Sequence, residues 1–344
     1  MPLLFDIEQP GFTSDLHAVD SVTVGLINNM PDAALKSTER QFVDLMHEST
    51  HNTAVRLLLF SIPEVPRSAT ARHDMAGRYR DVSELWGTHL DGLIVTGAEP
   101  RSANLKDEPY WEALGQIIDW AHDHAASTIW SCLAAHAAVL RIDGIERKLL
   151  PEKCSGVFDC EVIDRHPLIR GAATSISVPH SRLNDLPERA LKSCDYRILT
   201  RSDVAGVDLF VKQNRGLHIF FQGHPEYNAN SLLREYRRDI RRYLRGERDC
   251  YPAAPLGYFD EQATAWADAF RERVLADRHE NLIKAFPMHE LAAPLASGWR
   301  SAAAAIYENW FNYLRECKAG RRSLIPSGRR AWRDRRSRPV DATS

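Results

Sequence analysis

Short runs of β-branched and aliphatic residues alternate along this sequence with longer segments whose apolar residues recur at helical spacing. The strand-like runs of the first half lie at 21–28, 54–62, 90–96 and 127–131. Helices are predicted between them at 33–48 and 109–124, whereas 63–80 is polar and expected to be irregular. Strands that alternate with helices are typical of a parallel sheet covered on both faces. The sequence therefore predicts a three-layer α/β sandwich with a mostly parallel sheet.

The second half contains more short strands than the first. These are predicted at 156–163, 175–178, 196–201, 208–212 and 217–222. Three further segments have helical spacing, at 231–244, 263–276 and 299–316. We therefore expect a helical extension at the C-terminal end of the α/β part.

The composition is that of an ordinary globular protein, with 44% hydrophobic and 26% charged residues among 344 and a net charge of −2. No apolar run is long enough to span a bilayer, and the N-terminus has neither the basic start nor the apolar stretch of a leader. The six cysteines show no CxxC pairing, so neither a disulfide framework nor a metal site is predicted. We expect a cytoplasmic protein with free thiols.

The C-terminal end is strongly basic. From Lys318 onward there are nine Lys or Arg residues and two Asp or Glu residues. Such an arm can bind nucleic acid. A disordered, solvated terminus is the simpler interpretation, and we expect neither nucleic-acid binding nor a catalytic role for it.

Cys132 follows the predicted strand 127–131 (STIWS) directly and precedes the alanine-rich helical stretch LAAHAAVL. A cysteine at a strand-to-helix turn lies beside backbone N–H groups that lower the pKa of such a thiol and can hold an oxyanion. Taken alone, Cys132 is equally well interpreted as a small hydrophobic side chain that is simply buried. The other five cysteines lack this setting, so Cys132 is the candidate nucleophile.

A thiol nucleophile needs a base, and the base needs a group that orients it. His224 and Glu226 occur together in GHPEY, directly after the predicted strand 217–222. In an extended segment, residues two apart project on the same side, so the carboxylate can reach the imidazole. Together with Cys132 they predict a Cys-His-Glu triad. A loop histidine beside a surface glutamate is the alternative.

Several segments, in this order, resemble one family. They are LINNMPDAALKSTERQF, VTGAEP, Cys132 at its turn, KCSGVFDCEVIDRHPLIRG, PHSR, GHPEY and ENWFNYL. They are similar to the homoserine O-acyltransferases of the MetA type, the homoserine O-succinyltransferase family, and the resemblance runs over 22–314. It implies a class I glutamine amidotransferase-like (flavodoxin-like) fold. It also implies acyl transfer from an acyl-CoA cosubstrate, succinyl-CoA or acetyl-CoA, to the hydroxyl of L-homoserine in methionine biosynthesis, with no bound cofactor and no metal.

The resemblance also assigns roles to single residues. Cys132 becomes the acyl-thioester nucleophile, His224 the general base and Glu226 its partner. The substrate-binding residues would be Lys153 near the acyl donor, Ser181, and Glu235 with Arg238 around the amino acid. Arginine can bind a carboxylate and a carboxylate can bind an ammonium group, although a solvated basic helix also accounts for Arg238. The backbone N–H groups near Gly97 and Leu133 would form the oxyanion hole.

Two positions depart from the family pattern. Asp32 follows Pro31 where basic residues are usual, which weakens any inference about phosphate contacts of the acyl donor. Arg101 falls near the position that separates small from larger acyl groups, where glycine or glutamate is usual. An arginine could pair with a succinyl carboxylate. Succinyl is therefore favoured over acetyl.

Other functions stay open at this stage. A serine O-acyltransferase of the same mechanism differs by one methylene in its acceptor. A glutaminase usually has glycines on both sides of its cysteine, where this sequence has Ser131 and Leu133. A non-catalytic binding protein on this fold has no chemical reason to retain all three triad residues.

The expected organisation follows from these assignments. It is an N-terminal arm (1–20), an amidotransferase-like catalytic domain (21–250), a C-terminal helical extension packed on it (251–317) and the basic tail (318–344). We expect small-molecule substrates and a homodimer.

Overall fold

A computed structural model of the protein describes residues 5–8, 21–51 and 53–320, with the first of these segments described by its backbone. Its strands are β1 (Phe5–Glu8), β2 (Val22–Ile27), β3 (Val55–Ser61), β4 (Tyr79–Asp81), β5 (Gly92–Val95), β6 (Ser127–Ser131), β7 (Lys148–Val162), β8 (Ser175–Asp185), β9 (Arg197–Ile198), β10 (Thr200–Ser202), β11 (Gly206–Val207), β12 (Leu209–Gln213) and β13 (Leu217–Phe221). Its α-helices are α1 (Asp32–Glu48), α2 (Ala69–Met75), α3 (Trp111–His124), α4 (Leu133–Asp143), α5 (Glu188–Ser193), α6 (Ser231–Leu244), α7 (Glu261–Ala276), α8 (Met288–Ala292) and α9 (Arg300–Lys318).

The larger sheet runs in the order β1-β3-β2-β5-β6-β13-β12-β9, with β4 beside β3. Neighbouring strands of this sheet are parallel from β1 to β13, and among its described strands only the pairs β13–β12 and β12–β9 are antiparallel. The predicted α/β class and mostly parallel sheet are confirmed.

Helices cover both faces of this sheet because alternate strand residues point to opposite sides. Trp130 packs into a core with the apolar faces of α3 and α4. Ile129, one position earlier, packs into a second core with Phe42 of α1 and Trp310 of α9. All four side chains are almost fully buried, and the three layers agree with the prediction.

A second, antiparallel sheet has the order β11-β10-β7-β8. The predicted strands 156–163 and 175–178 are parts of its much longer hairpin β7–β8, so the predicted lengths were wrong. The first half of β7 contains Pro151 and exposed polar residues, and its pairing register shifts between Leu149 and Cys154. Because of these features, the first half of β7 lacks the apolar pattern by which a strand is predicted from sequence.

The prediction of an irregular segment at 63–80 was also wrong. Helix α2 lies within this segment, and β4 begins there. Ser68 begins the helix by accepting a hydrogen bond from the N–H of Ala71, the usual role of a serine N-cap. The helix has seven residues and two buried side chains, Ala71 and Met75, which is too little apolar periodicity to detect.

The segment after α6 joins the α/β part in two ways. Helices α6 and α7 share an apolar cluster with the aromatic rings of Phe286 and Trp299. Backbone hydrogen bonds also join Leu256 to Ser155 and Val157 beside Gly156, where a Cβ atom would lie 2.3 Å from the Leu256 carbonyl oxygen. Helix α9 then crosses the main sheet so closely that a Cβ on Gly92 would lie 2.7 Å from Leu314.

Contacts at both ends of the described chain cross the boundaries of the expected division. The arm contributes β1 to the sheet edge, beside β3. Lys318, counted with the tail, is the last residue of α9, and its ammonium donates to the Ser21 carbonyl and to Asp91 at 2.8 and 3.1 Å. The tail prediction otherwise concerns 321–344, which lie outside the described residues. In the part of the chain that is described, no helix is long and apolar enough to cross a membrane.

Candidate active site

Three neighbouring parallel strands end at one edge of the main sheet. In the register, Val95 of β5 lies opposite Trp130 of β6, and Ser131 of β6 lies opposite Phe221 of β13. The residues that follow these strands therefore meet at the carboxyl edge, which is where open α/β sheets place their ligand sites. These residues include Gly97, Cys132 and His224.

Cys132 occupies a strained turn between β6 and α4. Its φ of 51° and ψ of −110° form a combination that non-glycine residues rarely adopt. The turn is held because the Cys132 N–H donates to the Phe221 carbonyl at 2.8 Å, while its carbonyl accepts from the N–H groups of Ala135 and His136. The residue is half-buried. The predicted sharp strand-to-helix turn is present, and it presents the thiol at the sheet edge.

Gly97 lies against the start of α4. A Cβ atom on Gly97 would lie 3.0 Å from both the nitrogen and the Cβ of Leu133. Within the described residues, no backbone or side-chain acceptor takes the N–H of either Gly97 or Leu133. Two free backbone donors beside the cysteine are what an oxyanion hole requires.

His224 contacts both of its expected partners. Its Nδ1 lies 2.8 Å from Oε1 of Glu226, and the Cys132 side chain is near enough to raise the pKa of the ring. Burial lowers the pKa of His224, but Cys132 and Glu226 outweigh burial and hold this pKa well above its ordinary value. The site thus favours a protonated imidazole beside the thiol nucleophile.

The segment that carries the base is a turn and not the extended strand that we expected. The N–H of Tyr227 donates to the His224 carbonyl at 3.1 Å, so the contact between His224 and Glu226 is made across this turn. The His224 N–H donates to the Pro179 carbonyl at 2.7 Å, and Arg300 donates to the Glu226 carbonyl at 3.1 Å. The turn is therefore fixed on both sides.

The first residue of GHPEY must be glycine. A Cβ atom on Gly223 would lie 2.5 Å from Val178, 2.6 Å from Asp208 and 2.9 Å from His180. The N–H of Gly223 also donates to Asp208 at 3.3 Å. This close approach packs the base-bearing turn directly on β8 and β12.

His180, Asp208 and Cys160 form a buried group behind this turn, with candidate metal-ligand atoms within 4.8 Å of one another. Arg182 donates to Nδ1 of His180 at 3.4 Å, so Nε2 of that ring bears the proton. Nε2 lies 3.3 Å from Oδ1 of Asp208. Burial raises the pKa of the Cys160 thiol and keeps it protonated. Burial lowers the pKa of His180, so the ring beside this carboxylate is neutral.

The other predicted substrate residues converge on Glu235. This carboxylate accepts hydrogen bonds from the hydroxyls of Ser181 and Tyr227 and from Lys153 Nζ, the last at 3.2 Å. Arg238 lies 3.8 Å away. Burial raises the pKa of Glu235, but Lys153, Arg238 and the two hydroxyls outweigh burial, so its pKa lies below the ordinary value. An ionised, partly exposed carboxylate at this place can bind an ammonium group.

Comparison with known proteins identifies the family. A sequence model described as homoserine O-succinyltransferase matches residues 13–319. The homoserine O-succinyltransferase of Rhodopseudomonas palustris is 48% identical over 289 residues, covering 84% of this chain and 87% of the relative. That of Bradyrhizobium japonicum is 46% identical over 324 residues, covering 91% and 99%. This chain belongs to the homoserine O-succinyltransferase family.

Family membership confirms the predicted resemblance and makes the protein an acyltransferase. The chain is also similar to the solved structure of a glutamine amidotransferase from Methylobacillus flagellatus. The identity there is 16% and the TM-score 0.48, over 86% of this chain and 95% of that one.

The side chain of Arg101 is exposed. Its N–H and that of Ser102 donate to Oε1 of Glu108, at 2.6 and 2.7 Å. The same loop is joined to α6 by an ion pair of 2.6 Å between Glu99 and Arg242. The loop is therefore fixed by two contacts, one to Glu108 and one to Arg242, while the Arg101 side chain is exposed to solvent.

Four residues near the site had no role in the sequence analysis. Asp239 accepts from Lys153 at 2.9 Å, and its position one turn after Glu235 on α6 was a readable signal. Arg147 is half-buried and donates to the Ala103 carbonyl of the Arg101 loop at 2.9 Å. Gln222 joins α4 to the end of β13 by bonding to His136 at 2.9 Å. Tyr227 is the last residue of the GHPEY motif, in which only the histidine and the glutamate were predicted to have a role.

Proposed function

We propose that this protein transfers a succinyl group from succinyl-CoA, through a thioester on Cys132, to the hydroxyl of L-homoserine in methionine biosynthesis. The observation that most supports this reaction is the contact of His224 with both Cys132 and Glu226, at a strained turn beside two free backbone donors. The family of the chain gives the reaction class. The relatives' names give the succinyl group and homoserine.

In the first half-reaction, the thiolate of Cys132 attacks the thioester carbonyl of the acyl donor. The N–H groups of Gly97 and Leu133 hold the tetrahedral oxyanion. When the intermediate collapses, the bond from carbon to the CoA sulfur breaks and CoA leaves, protonated by the His224 imidazolium. The enzyme is left with an acyl group on sulfur and a neutral imidazole.

In the second half-reaction, the acceptor hydroxyl attacks the acyl-enzyme. His224 takes the hydroxyl proton through the nitrogen that faces Cys132, while Glu226 stabilises the imidazolium that forms. Collapse then releases the O-acyl amino acid and restores the thiolate–imidazolium pair. No proton or electron remains unaccounted for, so the cycle needs no cofactor.

We assign the acceptor's ammonium group to Glu235 and its carboxylate to Arg238. Ser181 and Lys153 both donate to Glu235 and keep it ionised. The resemblance assigns Lys153 to the acyl donor. Since its ammonium contacts Glu235 and Asp239, we propose that Lys153 also fixes the acceptor-binding carboxylate. Arg101 stays our proposal for the succinyl carboxylate, which it would have to reach by turning in from solvent.

The setting of the reaction is also part of the proposal. The six cysteines are all unpaired, which suits a reducing compartment, so we propose that the enzyme works in the cytoplasm. Its partners would be the two small-molecule substrates and a second copy of the chain. We assign no nucleic acid to the basic tail.

Release of CoA tests the proposed function directly. The purified protein is incubated with succinyl-CoA or acetyl-CoA and with homoserine or serine, and free CoA thiol and the acylated amino acid are measured. We expect rapid turnover with succinyl-CoA and homoserine and none in the Cys132→Ala variant. A preference for serine would replace the acceptor, and a preference for acetyl-CoA would replace the donor. Hydrolysis of glutamine without acyl transfer would point to a glutaminase.

A further inference from the structure

Tyr227 lies between the two halves of the candidate site. Its ring stacks on the imidazole of His224, with centroids 4.2 Å apart and an angle of 16° between the planes. Its hydroxyl donates to Oε1 of Glu235 at 2.5 Å. One buried side chain therefore touches both the base and the carboxylate to which we assign the acceptor's ammonium group.

The backbone of Tyr227 is held firmly. Its N–H donates to the His224 carbonyl at 3.1 Å, and its carbonyl accepts from the indole N–H of Trp299 at 2.9 Å. Only 8% of the residue is exposed. Because the ring has so little freedom, it maintains a constant separation between His224 and Glu235.

The stack also restricts the imidazole itself. The ring edge of His224 is engaged by Glu226 and by Cys132, and one ring face lies on Tyr227. A rotation of the imidazole out of its plane would push its edge into the tyrosine ring. The stack therefore keeps one ring nitrogen directed at Cys132, where the acyl group is bound.

The groups facing His224 determine its charge. They are Cys132 from the turn between β6 and α4, Glu226 and Tyr227 from its own turn, and His180 from β8. Burial keeps His180 neutral by lowering its pKa, and burial with Glu235 raises the pKa of Tyr227 so that it stays protonated. Tyr227 thus presents an uncharged ring face, whose negative potential favours the imidazolium.

We propose that Tyr227 is a positioning residue that fixes the plane of His224 and its separation from Glu235, and so determines where the acceptor hydroxyl meets the base. This inference rests on the proposed function, because it takes Glu235 as the ligand of the acceptor.

Three variants separate the two contacts. Tyr227→Phe keeps the stack and removes the hydroxyl that bonds to Glu235, whereas Tyr227→Leu removes both. Tyr258→Phe is the matched control, since its buried hydroxyl bonds to the backbone of Ala229 and Leu233. Acyl-enzyme formation is followed by CoA release without acceptor. Transfer is followed by discharge of the isolated acyl-enzyme with homoserine, as a function of pH.

We expect Tyr227→Phe to form acyl-enzyme at nearly the wild-type rate but to lose roughly ten- to a hundredfold in kcat/KM for discharge, mainly through KM. Tyr227→Leu should also move the midpoint of the discharge profile to lower pH by about 0.5–1 unit, because loss of the stack destabilises the imidazolium. Tyr258→Phe should change neither quantity.

Equal slowing of both half-reactions in Tyr227→Phe would overturn the inference, as would the same loss in Tyr258→Phe or an unchanged midpoint in Tyr227→Leu. Failure of the proposed function gives a different result, because the wild-type protein would then form no acyl-enzyme at all.

Discussion

In the proposed mechanism, the negative charge of Glu226 stabilises the imidazolium of His224. The Glu226→Gln substitution keeps the shape and leaves the backbone bond from Arg300 in place, but removes the negative charge beside His224. The pKa of His224 should fall, and both half-reactions should slow by roughly two to four powers of ten. Stopped-flow measurement of CoA release checks the rate of the first half-reaction.

Glu39→Gln is the control, because Glu39 is also buried and bonds to Arg78 and Tyr79. A rate for Glu226→Gln within a few-fold of wild type would reduce the triad to a Cys-His pair.

Two arginines lie beside the loop that contains residue 101, and we propose that one of them favours the succinyl donor. Arg101 is exposed, whereas Arg147 is half-buried, and burial lowers the pKa of its guanidinium against the opposing effects of Tyr110, Glu108 and Cys132. A pair with a succinyl carboxylate favours succinyl-CoA and gives no gain with acetyl-CoA. We expect Arg101→Ala to lower kcat/KM for succinyl-CoA roughly ten- to a hundredfold and to leave the acetyl-CoA value nearly unchanged. Arg147→Ala is the comparison. If only Arg147→Ala shows the selective loss, the assignment moves to Arg147, and equal losses with both donors would indicate a contact to CoA or to the loop.

At the scale of elements, the proposed oxyanion hole depends on how closely the segment after β5 approaches the start of α4. The Gly97→Ala substitution places a methyl group 3.0 Å from the Leu133 nitrogen, in the space where the oxyanion would lie. We expect kcat to fall by roughly ten- to a thousandfold while the thermal midpoint changes little. Gly115→Ala on α3 is the control, because its methyl group would find a contact of 3.4 Å and alanine favours helices. Normal turnover in Gly97→Ala would place the oxyanion elsewhere.

The sequence predicted those elements best that are buried and have regular periodicity. Strand β6 and helix α6 were predicted with their observed bounds, because β6 has β-branched and aromatic residues at 128–130 and α6 has strong helical spacing. The long hairpin β7–β8 and helix α2 were missed or shortened because tertiary contacts, and not local apolar pattern, maintain them. For the same reason the site was predicted unevenly. Cys132, His224 and Glu226 lie next to clear strands, whereas the contact of Tyr227 with Glu235 depends on a turn that the local pattern did not indicate.

At the scale of the whole molecule, buried histidines make the fold sensitive to acid. Burial lowers the pKa of His136 and of His218 to about 3 in the folded protein. In the unfolded chain a histidine takes up a proton below about pH 6.5. The unfolded state therefore binds more protons between these pH values, and stability falls as the pH is lowered through this window.

The measurement is the free energy of unfolding as a function of pH. We expect His136→Gln to reduce the slope between about pH 6 and pH 4 by about 1.4 kcal/mol per pH unit. The exposed His124 supplies the control, since His124→Gln should leave the slope unchanged. An unaltered slope in His136→Gln would mean that the ring is already protonated in the folded protein.

The central claim is that the acyl group is bound to Cys132 between the two half-reactions. Mass spectrometry of the intact protein mixed with succinyl-CoA alone tests this claim, followed by peptide mapping and by addition of homoserine. We predict one succinyl adduct per chain, located on the peptide that contains Cys132, absent from Cys132→Ala and discharged by homoserine. An adduct on another residue, or full turnover by Cys132→Ala, would contradict the account.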